Sequence, residues 1–382
     1  MNSASTPLRL GVIGAGTISQ SVHLPLVRRA GFELAWIADL SAGRAEAVGR
    51  AHGARWTSDP AELLAAADVD AVLIATPGAH ADLTVEALRH GKHVLAEKPL
   101  GLSLAAIDAV ERAAAESGRV VQVGYMKMYD PLVDRTRAEL AQLTDRRLVR
   151  ITVLHPADDP QVAHLRLRPL RPDVDPALLA AANEAEEAEV LRALPEAPPA
   201  LRAYYRNVLN GSVVHEFSLL RALGLPVPDA WTAEVFPALD GPEPACLLAT
   251  GDTADGARIV LSWNWLPGHP EYGEDLTVFA ANGRLELALA KPYLLEERSR
   301  LRVDRADGSE RRQSTFTELH ESAFLRQLDA FGASVREGAD VIATVAGARA
   351  DLVACQRLAQ AIGRGLGESV VIEADLADGA RP

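Results

Sequence analysis

The chain has 382 residues, with 39 Lys and Arg against 52 Asp and Glu and a formal charge of −13. That length supplies material for two or three domains, and 48% apolar with 24% charged residues excludes a disordered or collagen-like chain. The acidic balance argues against a nucleic-acid partner, which would need clustered cations to displace counterions. Two distant cysteines, Cys246 and Cys355, form neither a disulfide framework nor a metal-type cluster, so a reducing, cytoplasmic setting and no metal are expected. Met1–Pro7 lacks a signal pattern, and no apolar run approaches the roughly 20 residues needed to span a bilayer, so no membrane partner is expected.

From Leu8 to about Val123 short β-branched runs alternate with Ala-rich helical stretches. Leu8–Ile13 predicts a strand ending at Gly14, and Thr17–Arg29 a helix that Pro25 kinks or divides. Glu33–Ala38 reads as a second strand stopped by Asp39, followed by helices over Ala42–His52 and Asp59–Ala66. Ala71–Ala75 is a nearly all-apolar strand, Ala81–His90 a helix, His93–Ala96 a strand, Ser103–Ser117 a helix capped by Ser103, and Val120–Val123 a strand. Strands separated by helices predict right-handed crossovers and a parallel sheet buried on both faces, a doubly wound α/β domain over residues 1–128.

The texture changes beyond this point. Pro131–Gln142 reads as a helix and Arg147–Leu154 as an alternating strand. Residues 156–205 form a Pro- and Ala-rich excursion in which Ala177–Leu194 is helical, and the acidic run Glu184–Glu189 reads as a solvated helix face. After a helix over Val213–Leu223, alternating segments at Trp231–Phe236, Ala245–Leu248, Ala257–Trp265, Leu276–Ala281 and Gly283–Ala288 predict a large open, mostly antiparallel sheet. Helices over Leu319–Arg336 and Val345–Ala361 close the chain, giving an α+β domain over residues 129–382.

Three tracts carry the chemistry. In the first, Gly14-Ala15-Gly16-Thr17-Ile18-Ser19 follows a strand and opens a helix: Gly14 permits the tight turn, and Gly16 lets the backbone approach a pyrophosphate at the helix N-terminus. Asp39, closing the second strand, is placed to bind a ribose diol and repel a 2′-phosphate, which favours NAD over NADP; Arg44 is close enough to soften that preference. The second tract, Thr76-Pro77-Gly78-Ala79-His80, leaves the carboxyl end of a central strand, where parallel sheets bind ligands, so Thr76, Pro77 and His80 are expected near the cofactor. The third, Glu97-Lys98-Pro99, leaves the next strand; an ammonium there either steadies a developing alkoxide or pairs with Glu97 on the surface.

These tracts, in this order, resemble the glucose–fructose oxidoreductase/inositol dehydrogenase (Gfo/Idh/MocA) family. Gly124-Tyr125-Met126-Lys127-Met128-Tyr129-Asp130-Pro131 is similar to the segment leading out of that family's Rossmann domain, and His215-Glu216-Phe217-Ser218-Leu219-Leu220-Arg221-Ala222-Leu223-Gly224 to its substrate-side helix. The resemblance does not extend to the 156–200 stretch. The resemblance implies hydride transfer between a nicotinamide and a secondary alcohol or ketone of a sugar, cyclitol or sugar-derived substrate. It also implies a homodimer or homotetramer built through the C-terminal sheet. By position, Lys98 would contact substrate hydroxyl and nicotinamide, and His215 would be the general base, a role suited to a pKa of roughly 6.5. Many relatives carry an Asp four residues before this His; here the position is Gly211, and Asn207 or Asn210 could offer only a neutral hydrogen bond.

Tyr125 and Lys127 are expected to face substrate from the strand end, with Tyr205 and Asn210 lining the pocket opposite. Trp263 and Trp265 share one strand face, which suits burial better than sugar stacking. Two other readings stand beside a dehydrogenase: an enzyme that eliminates or cleaves a glycoside with NAD recycled, which the Gly211 departure favours, and a non-catalytic dinucleotide-binding regulator, against which the retained Lys98 weighs.

Overall fold

The computed structural model describes residues 7–169 and 173–379 and divides into two compact units. One comprises residues up to Met126 with Leu165–Glu189 and Phe324–Arg349; the other comprises Lys127–His164, Val190–Ala323 and the residues from Ala350 onward. The first unit ends close to the expected boundary at residue 128, and two later segments expected over 129–382 group with it.

The first unit holds a six-stranded parallel sheet of β1 (Leu8–Ile13), β2 (Phe32–Ala38), β3 (Arg55–Thr57), β4 (Ala71–Ile74), β5 (His93–Ala96) and β6 (Val121–Val123), in the order β3-β2-β1-β4-β5-β6. The order reverses between β1 and β4, the switch point at which the carboxyl ends of such a sheet form a crevice. All four residues of β4 are fully buried, which is why this strand reads as an unbroken apolar run; burying Leu73 and Ile74 contributes about 2–3 kcal/mol each. Ser103 caps the helix Leu104–Ser117 by accepting from the Ala106 amide. The helix after the Gly-rich turn begins as a wide π-type turn, Ser19–His23, and continues as Leu24–Leu26, the change coming just before Pro25.

The helix Ala323–Glu337 packs on this sheet unit. Phe331 stacks on Phe32 with centroids 6.1 Å apart, Phe324 meets His23 edge-on at 5.6 Å, and the buried Gln122 side chain donates to the Gln327 carbonyl at 2.9 Å. Aromatic anchors of this helix, met by residues distant in sequence, explain why the segment groups with the first unit.

The second unit is an eight-stranded sheet of β7 (Arg146–His155), β8 (Thr232–Phe236), β9 (Cys246–Asp252), β10 (Arg258–Trp265), β11 (Gly273–Ala280), β12 (Gly283–Ala288), β13 (Arg300–Asp307) and β14 (Glu310–Thr317). Its order is β14-β13-β12-β11-β7-β10-β9-β8, antiparallel except where β7 and β10 run parallel. The helical stretch Pro199–Leu223 covers the face bearing Trp263: the Trp263 indole donates to Ser212 Oγ at 2.9 Å, Phe217 packs against Trp231, and the Tyr204 hydroxyl donates to the Ala245 carbonyl at 2.9 Å.

Candidate functional site

The Gly-rich turn is built as its chemistry requires. Gly14 has φ 94°, and a Cβ there would lie 2.5 Å from the Ala75 carbonyl oxygen, so glycine is required both by conformation and by the close approach of the chain leaving β4. Gly16 is the opposite case: a Cβ there would meet nothing within 4 Å, and the open space lies over the first helical turn. The Ala15 amide donates to Asp39 Oδ2 at 2.8 Å, joining the turn to the end of β2. Thr17 is exposed and Ile18 half-buried at the start of that turn. Asp39 also accepts from the Ser41 amide at 2.9 Å and pairs with Arg44 at 2.9 Å, so Arg44 is held by the acid whose preference it was expected to soften.

His80 departs from expectation. Its ring is buried between the Pro99 carbonyl (2.8 Å from Nδ1) and the Thr76 carbonyl (2.9 Å from Nε2), clamping the loop after β4 to the loop after β5. Burial pushes its pKa down, while the Pro99 carbonyl, the Glu97 charge and the Thr76 carbonyl work the other way. His80, expected near the cofactor, braces the two loops from inside; Thr76 is half-buried and Pro77 exposed beside it.

The loop after β5 is anchored by Glu97. Its Oε1 meets His23 Nε2 at 2.8 Å, and its Oε2 accepts the Lys98 amide at 3.2 Å. Burial would raise this carboxyl, but the His23 hydrogen bond, the His23 ring and the Lys98 charge together hold it below the usual glutamate range. Gly124 is fitted to it: a Cβ there would fall 2.8 Å from Glu97 Cα. Glu97 thus fixes the loop from inside and leaves the half-buried Lys98, joined to Pro99 by a cis peptide, as the chemical group at the strand end. His23 was not singled out from sequence, yet Ser19, Val22, His23 and Leu26 form a buried stripe at helical spacing, and a histidine within such a stripe is the missed signal.

The acidic run of the excursion is not wholly solvated. Within the helix Pro176–Ala193, Glu186 Oε1 accepts the Ala79 amide at 3.2 Å and Glu189 Oε2 accepts the Leu102 amide at 2.6 Å; their spacing of three places both on one helix face. Burial, with Asp82 and Glu186 as like charges, raises the Glu189 pKa despite that amide.

In the second unit, Lys127, expected to face substrate, lies at the centre of a buried ion cluster. Its ammonium meets Glu216 at 2.9 Å and Glu274, whose other oxygen accepts the Tyr272 hydroxyl at 2.7 Å. The two carboxylates outweigh burial and raise the Lys127 pKa; burial and the Glu274 charge push Glu216 up to about 8. Below the ordinary value of 4.5, Glu216 is protonated in folded and unfolded chains alike; between 4.5 and about 8 only the folded chain keeps the proton. Its contribution to stability is therefore fully present at acidic pH and lost as pH rises toward 8. Thermal melts between pH 5 and 8 should fall more steeply for the parent than for Glu216→Gln, and parallel slopes would refute this account.

Tyr205 and Asn210, expected to line the pocket, lie in the interior of this unit. Both are fully buried, Asn210 Nδ2 donates to the Tyr205 carbonyl at 3.0 Å, and burial drives the Tyr205 phenol pKa well up, so they are core groups of this unit. Tyr125, in the first unit, is 2% exposed and offers no free surface either. His215 is half-buried at the start of the helix Val214–Leu223, which follows a π-type turn over Tyr205–Val213. A Cβ at Gly211 would meet only the Arg206 carbonyl, at 3.8 Å, so a side chain has room there and the missing carboxylate is a chemical choice. Lys98 belongs to the first unit and His215 to the second.

Residues 8–125 match the model of an oxidoreductase family with an NAD-binding Rossmann fold. Over these residues the domain belongs to the Gfo/Idh/MocA oxidoreductase family. Over 127 residues it is 38% identical to scyllo-inositol 2-dehydrogenase (NAD(+)) of Bacillus subtilis (strain 168), covering 32% of this chain and 37% of that one. Over 142 residues it is 39% identical to inositol 2-dehydrogenase of Mycolicibacterium smegmatis, covering 36% and 40%. The chain spans about two fifths of the length of these curated relatives. Among solved structures, UDP-N-acetylglucosamine 3-dehydrogenase from Acidithiobacillus ferrooxidans matches with a TM-score of 0.70 at 20% identity over 95% of this chain and 100% of that one. A 3-ketoreductase from Actinomadura kijaniata, solved with NADP and TDP-benzene, matches with a TM-score of 0.65 at 19% identity over 94% and 98%. These two likenesses extend the shared fold over nearly the whole chain. No helix among the described residues is long and apolar enough to cross a membrane.

Proposed function

We propose that this protein is an NAD-dependent oxidoreductase of a secondary alcohol or ketone on a sugar-like or cyclitol-like substrate. The observation that carries the reading is a single domain holding both the left-handed Gly14 turn tied to Asp39 and the Glu97-anchored Lys98 at the end of β5. The fit to a dinucleotide rests on the open space over Gly16, which a Cβ would fill, and on the acidic end of β2. Gly14, Ala15, Gly16, Thr17 and Ile18 would hold the pyrophosphate, and Asp39 the adenosine ribose. Bound there, the nicotinamide would accept or donate hydride.

The chain's own residues supply the rest. The Lys98 ammonium steadies negative charge growing on the substrate oxygen, which lowers the barrier only if the charge develops in the transition state. His215 takes the hydroxyl proton. With Gly211 in place of an acid, no carboxylate at that position orients or strengthens it. That departure supports a second reading, in which oxidation is transient and the cofactor is restored within one catalytic cycle. Self-association through the open face of the eight-stranded sheet belongs to the same proposal.

The test is identification of nucleotide released on gentle denaturation, then a panel of polyols and sugars followed for nicotinamide reduction. Absorbance at the reduced-nicotinamide band that grows with substrate consumption supports the dehydrogenase. Consumption without that absorbance moves the assignment to the recycling enzyme, and absence of pyridine-nucleotide binding removes both.

A further inference from the structure

We propose that Asp173, carried by the 156–205 excursion, is a second determinant of nucleotide choice that excludes the 2′-phosphate of NADP. The proposal rests on the dinucleotide reading above. The excursion returns to the first unit and lies along the loops at the carboxyl ends of its strands. Gln20 exchanges two hydrogen bonds with the Arg168 backbone (2.6 and 2.9 Å), and Asp173, Glu186 and Glu189 accept the amides of Gly43, Ala79 and Leu102.

Asp173 falls at the place where a 2′-phosphate would be read. With the adenosine ribose at Asp39, a phosphate on its 2′ oxygen would look for free amides at the start of the following helix, Ala42–His52, and for a nearby guanidinium. The Ser41, Gly43 and Arg44 amides and the Arg44 guanidinium are already engaged by groups of this chain. The Ser41 amide is held by Asp39 Oδ1 at 2.9 Å, the Arg44 amide by Ser41 Oγ at 3.1 Å, and the Gly43 amide by Asp173 Oδ2 at 2.8 Å. The Arg44 guanidinium is held by Asp39 at 2.9 and 3.0 Å. Asp39 by itself leaves a route to NADP, because Arg44 could turn to a phosphate supported by the helix amides. Asp173 closes that route twice over: it takes the Gly43 amide as a phosphate oxygen would, and it adds a second negative charge beside the first. A dianionic phosphate then meets repulsion where it would need donors, while the uncharged 2′-hydroxyl of NAD does not.

Separate equilibrium titrations with NAD⁺ and NADP⁺, followed by tryptophan fluorescence, test this on the full chain and on Asp173→Asn and Asp173→Ala. Asp173 is exposed, so the fold should tolerate both changes, and Asn keeps the shape while removing the charge. The ratio Kd(NADP⁺)/Kd(NAD⁺) should fall about tenfold in both variants, with Kd(NAD⁺) within about threefold of the parent. The parent's ratio should also shrink as salt is raised, because exposed charges are screened. An unchanged ratio with NAD⁺ still bound overturns the role of Asp173 and leaves the dinucleotide reading standing. Equal weakening of both nucleotides overturns it too, since Asp173 would then merely hold the excursion in place. A parent that binds neither nucleotide overturns the dinucleotide reading and this proposal together.

Discussion

Replacing Lys98 with alanine is expected to lower turnover by about 10³-fold while changing nicotinamide-dinucleotide affinity by less than about threefold. The asymmetry follows from how the loop is built. The carboxyl that fixes its course is Glu97, gripped by His23 at 2.8 Å and by the Lys98 amide at 3.2 Å. Neither contact involves the Lys98 side chain, so truncation removes a charge from the strand end without releasing the loop. The pyrophosphate and ribose contacts proposed for the Gly-rich turn and Asp39 lie on other strands and should persist. Initial-rate kinetics on whichever polyol is turned over, paired with nucleotide titration, separate the two effects. Turnover that survives in Lys98→Ala would show that another group carries the developing charge. Loss of nucleotide binding would show that Lys98 builds the cofactor site. Lys98→Arg offers a finer probe, because a planar guanidinium keeps the charge but cannot concentrate it at one point.

The second large effect concerns stability. Lys127→Met should cost about 3–5 kcal/mol, because it leaves Glu216 and Glu274 buried together without the ammonium between them. Buried carboxyl groups left without that ammonium lose their charge-assisted hydrogen bonds, which favours the unfolded chain. Combining Lys127→Met with Glu216→Gln and Glu274→Gln should recover most of the loss, since neutral amides remove the uncompensated charge. Denaturant unfolding of the single and triple variants measures both. A loss below about 1 kcal/mol for Lys127→Met would place the cluster in a wetter setting than its burial implies.

Much of the first unit was legible because its signals are local. An apolar run ending in Gly14, a β-branched run ending in Asp39 and a fully apolar run over Ala71–Ala75 each state strand, turn and burial within a few residues. The reading missed β3, whose three residues include an exposed Arg55 and Trp56, too short and too polar at the sheet edge to announce a strand. It also missed the hairpin of β13 and β14, although Asp307-Gly308 is a hairpin signal and Gly308 has φ 62°. Arginine and glutamate interrupt the apolar alternation there, because an outer sheet strand need bury little.

By itself the sequence determined the α/β class, the order of the parallel strands' helices, the Gly14 turn and the positions of Asp39 and Lys98 at strand ends. Those features depend on φ preferences, capping and apolar period, which residues a few places apart decide among themselves. Tertiary structure alone decided that Lys127 goes to Glu216 and Glu274, 89 and 147 residues away. It also decided that His80 braces two loops, and that Asp173 reaches Gly43 across 130 positions. The physical reason is the same in each case. A charged or polar side chain is drawn to whichever partner satisfies it after burial, and long-range packing selects that partner without leaving a local pattern to read.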